Sequence, residues 1–407
     1  MIAWFRYICL IVSLIITLPE LLSAQRLVSQ RQEDVEAGLL YNESVYILSN
    51  YSCLSSNSPE KLSLDELLRK QIEGFYFYLK RDTETNVLLL RKPDGTFTPF
   101  SESLEAIKTA LDADSTKVMT LFLDFYVEME LESSFKEIGL MEYVLEYDTK
   151  NGWPSLKDML SSGKRLVVFE VQKHLNSPSW LHNMRDFVEH TDADWGNQPE
   201  GVESFDERLK KNLSLFTGYK FLETSRGNSN DISALARQTP YLIESFKRAW
   251  IRDGRVPNFV LVDKYYAWLD VSLVTFRNFD IIYGAVTNNN ELLNYVNWDG
   301  MSNYTTGKYC FPLEPGAELM LSPISPGYRI EPATVYVSGT QRKAFAGDFK
   351  ARPLRIDEDI EIYLPFEGDE KDGSSNHNLT VSRNVEFIQD PIRGQVASLE
   401  NQARVDL

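Results

Sequence analysis

Cysteine and histidine are scarce in this 407-residue sequence, which contains three cysteines and four histidines. Cys9 lies in an apolar leader, so Cys53 and Cys310 remain as a candidate disulfide, with two buried free thiols as the alternative. Neither a Gly-x-Ser-x-Gly motif nor a glycine-rich phosphate-binding loop is present. Internal repeats and low-complexity tracts are also missing. These absences exclude a serine hydrolase of that type, a P-loop protein and a repeat protein.

Long apolar runs are confined to the amino terminus. Arg6 precedes the run ICLIVSLIITL, and a small-residue segment ending at Ala24 follows it. This order is typical of a secretory signal peptide, which we predict at residues 1–24. A retained membrane anchor is the alternative, but the run is short for a membrane span and Pro19 interrupts it. The sequence therefore predicts a secreted protein, periplasmic or extracellular, with no transmembrane segment after cleavage.

The sequence has an excess of acidic residues. It contains 42 Lys and Arg against 59 Asp and Glu, which gives a formal net charge of −17. A chain this acidic is a poor candidate for binding nucleic acid, so we predict no nucleic-acid partner. Hydrophobic residues make up 43% of the chain, enough for a large core.

Helical and strand patterns alternate from residue 44 to about residue 296. In residues 152–172, a short helix closed by Gly163 leads into LVVFEV, an apolar run typical of a strand buried on both faces. Seven or eight such units over about 250 residues favour an α/β (β/α)8 TIM-type barrel, which we place at residues 44–311 after a polar lead at 25–43. The pattern also predicts helices over 131–148 and 179–191 and a last barrel strand at 281–286. Since first and last strands are neighbours in a closed barrel, Cys53 and Cys310 would then lie near each other.

The pattern changes after the predicted barrel. Prolines punctuate residues 312–359 and helical periodicity disappears, which predicts a linker or a small all-β appendage. Residues 360–407 contain short strand and turn patterns. The sequences YLPFEGDEKDGSSNHNLTV and GQVASLENQARVDL resemble the opening of a laminin-G/concanavalin-like jelly roll. Such domains are usually longer, so the resemblance implies a partial domain and a truncated chain.

Four segments together resemble the phosphatidylinositol-specific phospholipase C X-domain superfamily. They are KVMTLFLDFYV, GWPSLKDMLSSGKRLVVFEV, SWLHNMRDFVEHT and VPNFVLVDKYY, and they occur in the order found in that family. The resemblance implies a distorted (β/α)8 barrel that cleaves a phosphodiester with two histidines, an arginine or calcium ion, and supporting carboxylates. A divalent cation such as calcium is the one cofactor that the resemblance suggests, and the sequence assigns no ligand set to it.

The expected catalytic residues are replaced. The first family histidine aligns with Asn50, the arginine with Tyr76 and the following carboxylate with Lys80. The second histidine would end the next strand near Arg91, where no histidine occurs. Asp263 matches the carboxylate that orients the general-base histidine and is the retained family position. Asparagine cannot act as a base near neutral pH, so the usual mechanism is unavailable.

Three other residues are candidates for an altered site. Asp124 and Glu170 lie on predicted strands, and His174 follows the second of these, at the edge where barrel active sites lie. A bound metal that activates water could replace the two-histidine chemistry, although structural carboxylates and a loop histidine are the simpler interpretation.

Three functions follow from these observations. The first is a secreted phospholipase-C-like protein that has lost the usual catalysis and binds a ligand such as a phospholipid headgroup. The second is an active phosphodiesterase that acts on a phospholipid or glycerophosphodiester through a non-standard site. The third is a glycan-binding or adhesion module in which aromatic residues stack on sugar rings.

Overall fold

The computed structural model places eight parallel strands in one sheet and a series of short antiparallel strands after them. The residues described are 31–52, 62–70, 72–126, 131–192, 215–219, 247, 250–251, 254–262, 276–299, 304–339, 341–355, 381–383, 385–390, 394–398 and 404–406. The predicted signal peptide, Cys53, Asp263 and His377 lie outside them. No helix among the described residues is long and apolar enough to cross a membrane.

Helices are short, and most lie in the first half of the chain. They are α1 (31–36), α2 (Leu64–Arg69), α3 (Phe100–Ala113), α4 (Leu131–Ile138), α5 (Leu156–Ser162) and α6 (Met184–Phe187). Single 3-10 turns occupy Tyr41–Glu43 and Leu140–Glu142, and residues 247, 250, 251, 276 and 277 are also helical.

The described strands fall into two groups along the chain. Those before residue 263 are β1 (Tyr46–Ser49), β2 (Gly74–Arg81), β3 (Leu88–Arg91), β4 (Phe97–Pro99), β5 (Met119–Asp124), β6 (Leu166–Glu170), β7 (Leu181–Asn183), β8 (Val188–Asp192), β9 (Leu215–Tyr219) and β10 (Phe259–Val262). Those after residue 279 are β11 (Asp280–Asn288), β12 (Glu291–Leu292), β13 (Val296–Trp298), β14 (Tyr304–Thr305), β15 (Lys308–Leu313), β16 (Glu318–Leu321), β17 (Pro323–Ile324), β18 (Tyr328–Glu331), β19 (Val335–Ser338), β20 (Lys343–Pro353), β21 (Val381–Arg383), β22 (Glu386–Asp390), β23 (Gly394–Ser398) and β24 (Arg404–Asp406).

Eight strands form a parallel sheet in the order β7-β6-β5-β2-β1-β10-β9-β8. β2 continues beyond this sheet into an antiparallel hairpin with β3, which in turn pairs with β4. Closing the sheet into a barrel would require β7 to pair with β8, and this pairing is not among those of the described residues. The mixed α/β class is therefore confirmed, and the closed eight-stranded barrel stays a prediction.

The chain divides into two compact units. The first comprises residues 1–283, 309–319 and 337–345, and the second comprises 284–308, 320–336 and 346–407. Strand pairings described within the second unit are antiparallel: β13 with β14 and β17, β18 with β20, β21 with β24, and β22 with β23. The β-rich character predicted after the first domain is confirmed. The laminin-G-like resemblance and the exact domain boundaries stay predictions.

Two predicted helices were wrong, and one predicted strand lies in a different sheet. The helix expected over 131–148 ends at Ile138, because Gly139 turns into the left-handed region with φ 78° and only a 3-10 turn follows. The helix expected over 179–191 is instead β7, one turn of α6, and β8. The strand expected at 281–286 exists as β11, but it is antiparallel to β12 and not part of the parallel sheet. The neighbours of β1 are β2 and β10, and β11 is not among them. The argument that brought Cys53 close to Cys310 therefore does not hold.

Local sequence explains the α5–β6 segment well. The Ser155 hydroxyl accepts a hydrogen bond from the Asp158 N–H at 3.1 Å and so caps the start of α5. Gly163 ends the helix at φ 73°, a conformation that suits glycine. All five residues of β6 are buried, as the apolar run predicts.

A buried ion cluster joins distant segments of the first unit. Glu73, just before β2, forms ion pairs with Arg31 and Arg277, and one of its oxygens accepts the Ile47 N–H at 3.2 Å. Burial lowers the pKa of Arg31, but Glu73, Tyr46 and Asp34 oppose this effect and the net shift is upward. The guanidinium is therefore charged, and the carboxylates around it offset the cost of burying it.

The same cluster contains a second carboxylate. Asp34 binds Arg31 at 3.4 Å and Arg342 at 2.6 Å, a contact that spans 308 positions in the sequence. Arg342 also donates to the carbonyls of Arg277, at 2.7 Å, and Phe279. The cluster thus fixes α1, the start of β2 and residues 277–281 to the strand that begins near Arg342.

We expect Glu73→Gln to destabilise the fold by about 3–5 kcal/mol, because it leaves two buried guanidinium groups without their shared carboxylate. The measurement is the free energy of unfolding in urea. Glu137→Gln, at an exposed position on α4, is the matched control and should change stability little. Equal stability of both variants would contradict the role assigned to Glu73.

A second stability prediction concerns Asp280, which is 6% exposed. Burial raises the pKa of this carboxyl from 3.8 to about 6, although Arg342 opposes the shift. The folded state therefore holds the proton more tightly than the unfolded chain. The cost of ionising Asp280 is absent below pH 3.8 and complete above about pH 6. Asp280→Asn should raise the melting temperature near neutral pH, with a gain that shrinks as the pH falls toward 4. A constant difference across this range would contradict the assignment.

Candidate functional site

The carboxyl ends of the parallel strands bring most of the predicted site residues to one edge of the sheet. Side chains alternate between the two faces along each strand, and residues in register share a face. Tyr76, Phe122 and Phe169 are in register on what we call the aromatic face. Phe77, Leu123 and Glu170 are in register on the opposite face, which we call the helix face because the Phe77 ring lies 6.1 Å from that of Phe100 in α3.

Asp124 lies at this edge on the aromatic face, in register with Tyr78. Its two carboxylate oxygens accept hydrogen bonds from the Tyr76 hydroxyl at 2.8 Å and the Gln172 amide at 3.4 Å. Tyr76 stands where the family resemblance expects arginine. The Tyr76 hydroxyl is a neutral donor directed at the Asp124 carboxylate.

A row of aromatic and cationic side chains continues from Asp124 along the β2–β4 hairpin. The Lys80 ammonium lies 3.6 Å from the centre of the Phe97 ring, and the Arg91 guanidinium lies 5.7 Å from that of Tyr78. The Tyr126 ring is 6.2 Å from the Tyr78 ring. We call these five residues the hairpin ladder. Two positions expected to hold a catalytic carboxylate and a histidine, Lys80 and Arg91, therefore belong to a cation–π array.

Glu170 lies on the helix face and is nearly fully buried. Its carboxylate accepts hydrogen bonds from the Ser177 hydroxyl at 2.5 Å, the Asn183 amide at 3.2 Å, and the Nδ1 of His174 at 3.1 Å. The His174 ring also stacks on Phe125 with centroids 4.4 Å apart. Since Nδ1 must donate to the carboxylate, Nε2 is the ring nitrogen left for another contact, and no described residue hydrogen-bonds to it.

The predicted candidates are thus split between two faces. Asp124 points to the aromatic face, whereas Glu170 and His174 form a pair on the helix face. No group of three or more His, Cys, Asp or Glu residues with metal-binding geometry occurs in the described part of the chain. Asp124 therefore lies apart from the Glu170–His174 pair, and a divalent cation stays a suggestion of the family resemblance.

His182 is buried within an aromatic cluster and does not reach the edge of the sheet. Its Nε2–H donates to the Leu145 carbonyl at 3.2 Å, and the rings of Trp153 and Phe187 lie 5.8 Å and 5.5 Å away. Burial lowers the pKa of this imidazole, against weaker opposing effects of the hydrogen bond and Glu146. His182 is accordingly a neutral core residue. The side chain of His190 lies outside the described residues.

The remaining predicted site residues are Asn50, Cys310, Asp263 and Cys53. Asn50 follows β1 and is half-buried, at the same edge as Asp124. Cys310 is buried, and its sulfur accepts a hydrogen bond from the Trp250 indole at 3.1 Å. Asp263 and Cys53 lie outside the described residues, so the retained carboxylate and the disulfide stay predictions.

Several residues that shape this edge were missed in the sequence. Gln172, Ser177 and Asn183 hold the two carboxylates, and Tyr126 extends the hairpin ladder. The alternation in FYFYLK does place Tyr76, Tyr78 and Lys80 on one face, which is a usable signal. Nothing in the sequence joins Asn183 to Glu170, because this contact depends on the pairing of β6 with β7.

Comparison with known proteins gives one family match. Residues 90–199 match the family described as PI-PLC X 1. No curated protein matches the chain. Among solved structures, a mutant phosphatidylinositol-specific phospholipase C from Staphylococcus aureus is 13% identical, with a TM-score of 0.39, covering 61% of this chain and 96% of that one. The Listeria monocytogenes enzyme is 13% identical, with a TM-score of 0.38 and coverage of 60% and 98%.

We expect Glu170→Gln to destabilise the protein by about 1–3 kcal/mol, because an amide cannot accept all the hydrogen bonds that the carboxylate receives. The imidazole NMR signals of His174 should broaden or shift as its Nδ1 partner is weakened. Glu105→Gln, at an exposed position on α3, is the matched control. Unchanged His174 signals in Glu170→Gln would show that this carboxylate does not hold the ring.

Proposed function

We propose that this chain is a secreted member of the PI-PLC X-like superfamily that has lost the two-histidine phosphodiester chemistry and retains a binding function. The match of residues 90–199 to the family described as PI-PLC X 1 supports the superfamily. The leader at residues 1–24, with its apolar run and small-residue end, supports the secreted location.

The contacts of the charged side chains at the carboxyl edge of the sheet support the loss of catalysis. Asp124 accepts hydrogen bonds from Tyr76 and Gln172, while Lys80 and Arg91 lie against aromatic rings. On the aromatic face the described histidine is His182, which is buried and bonded to a carbonyl. Phosphodiester cleavage by the family route needs a base to take the proton of the attacking hydroxyl and an acid to protonate the leaving oxygen. Asparagine and tyrosine at the aligned positions do neither near neutral pH.

The extent of the family match agrees with this proposal. The match begins at Leu90, so it includes Arg91 but excludes Asn50, Tyr76 and Lys80. The matched segment contains β5, α5 and β6, which build the sheet. Similarity is thus found where the scaffold is formed, and it does not extend to three of the four replaced catalytic positions.

The His174–Glu170 pair favours a second candidate, an altered phosphodiesterase. An imidazole fixed through Nδ1 by a carboxylate has the arrangement of a general base. His174 retains 11% side-chain exposure, so a small reactant could approach it. However, the pair lies on the helix face, opposite Asp124, and it offers one imidazole where the family route uses two.

The purified full-length protein is expected to release neither inositol phosphate nor diacylglycerol from phosphatidylinositol vesicles, with or without added calcium. The reason is the missing acid–base pair. The measurement is product release over time against vesicles alone.

Two variants decide between the candidates if turnover is found. Loss of turnover in Asp263→Ala would mean that the retained family carboxylate works in catalysis, and the proposed loss of function would be wrong. Loss in His174→Gln alone would identify the altered enzyme. Gln preserves a polar side chain of similar reach but cannot cycle a proton near neutral pH.

A further inference from the structure

We propose that the hairpin ladder of Lys80, Phe97, Arg91, Tyr78 and Tyr126 is a docking surface for a neutral polysaccharide chain. This surface goes beyond the proposed loss of catalysis and does not depend on it. The proposal comes from the juxtaposition of exposed aromatic rings with hydrogen-bond donors and one acceptor on a hairpin that projects beyond the parallel sheet.

The aromatic part of the ladder offers rings that are not buried in a core. Tyr126 is 70% exposed, and Tyr78 and Phe97 are half-buried. Tyrosine rings in a protein interior usually lie against other apolar groups, whereas the described ring neighbour of Tyr126 is Tyr78. A ring with one face free can stack on the apolar face of a sugar, and its hydroxyl can bond to the solvent-facing substituents.

Polar side chains in and beside the ladder supply both hydrogen-bond donors and an acceptor. Lys80 and Arg91 are donors that their aromatic neighbours hold in place, and Asp124 is an acceptor at the end of the row. Each Asp124 oxygen has one hydrogen bond and can accept more, because a carboxylate has about four acceptor positions. A polysaccharide carries many hydroxyl groups, and each can both donate and accept a hydrogen bond. It can therefore bind to donors and acceptors that lie side by side on one surface.

Charge decides in favour of a neutral partner. The hairpin segment from residue 80 to residue 94 contains four basic residues and three acidic ones, and Asp124 beside the ladder is a fourth acidic residue. Two of the acidic residues, Asp82 and Asp94, accept hydrogen bonds from their own turns. A polyanion or an anionic membrane would meet no net attraction from these balanced charges and repulsion from the whole chain, which has a net charge of −17. A neutral polysaccharide avoids this cost.

The experiment is calorimetric titration of the full-length protein with cellohexaose, chitohexaose and mannohexaose, with a heparin hexasaccharide and phosphatidylserine vesicles as anionic probes. We expect at least one neutral oligosaccharide to bind, with an affinity nearly independent of salt. Tyr126→Ala and Lys80→Ala should each weaken that binding about fivefold, since the first removes one stacking ring and the second removes one hydrogen-bond donor.

Tyr336→Ala is the matched control, because Tyr336 is 74% exposed and lies outside the ladder. It should leave the affinity unchanged, and melting temperatures should show that all variants remain folded. The proposal is wrong if no neutral oligosaccharide binds at millimolar concentration, if both ladder variants bind like the parent, or if an anionic probe binds more tightly. Phospholipase turnover would overturn the proposed function but not this surface, so the two failures are distinguishable.

Discussion

The carboxylate of Glu73 is the group on which the first unit depends most. It lies just before β2 and binds two buried guanidinium groups, from Arg31 and Arg277, that come from opposite ends of that unit. Asp34 and Arg342 extend the cluster. Burying three arginines is costly unless each has oxygen partners, and the carboxylates and backbone carbonyls supply them. The segments around Arg31 and Arg342 are therefore part of the folded unit, although the sequence pattern suggested a polar lead and a linker at these positions.

The residues that stabilise the sheet and the residues at its carboxyl edge lie at opposite ends of the strands. The ion cluster lies where β1 and β2 begin, whereas the family's catalytic residues would lie where the strands end. Residues at the far edge can therefore change without weakening the cluster. Asn50, Tyr76, Lys80 and Arg91 occupy that edge, and three of them now take part in hydrogen bonds or cation–π contacts of a new kind. The residues that stabilise the start of the sheet are therefore different from those at its far edge, so fold and function can depend on different residues.

The two faces of the sheet explain why the candidate site does not form a single centre. Asp124 and Glu170 end adjacent strands, yet the register places them on opposite faces. The helix-face pair of Glu170 and His174 fixes the loop between β6 and β7. The aromatic face holds Asp124 and the row of rings that includes Tyr78 and Tyr126. The edge therefore holds two separate groups of polar side chains, one on each face of the sheet.

Sequence alone determined the elements whose signals are local. The cap at Ser155, the stop at Gly163 and the apolar run of β6 predict the α5–β6 unit, because caps and burial act over a few residues. It also supplied the residue identities at Asn50, Tyr76, Lys80 and Arg91, on which the proposed loss of catalysis depends. Only the tertiary structure decided which strands are neighbours, because an apolar run such as β11 is compatible with either a parallel or an antiparallel partner. The same holds for the Glu73 cluster, the split between Asp124 and Glu170, and the hairpin ladder. Each joins residues through strand register and long-range packing, which leave no periodic trace in the sequence.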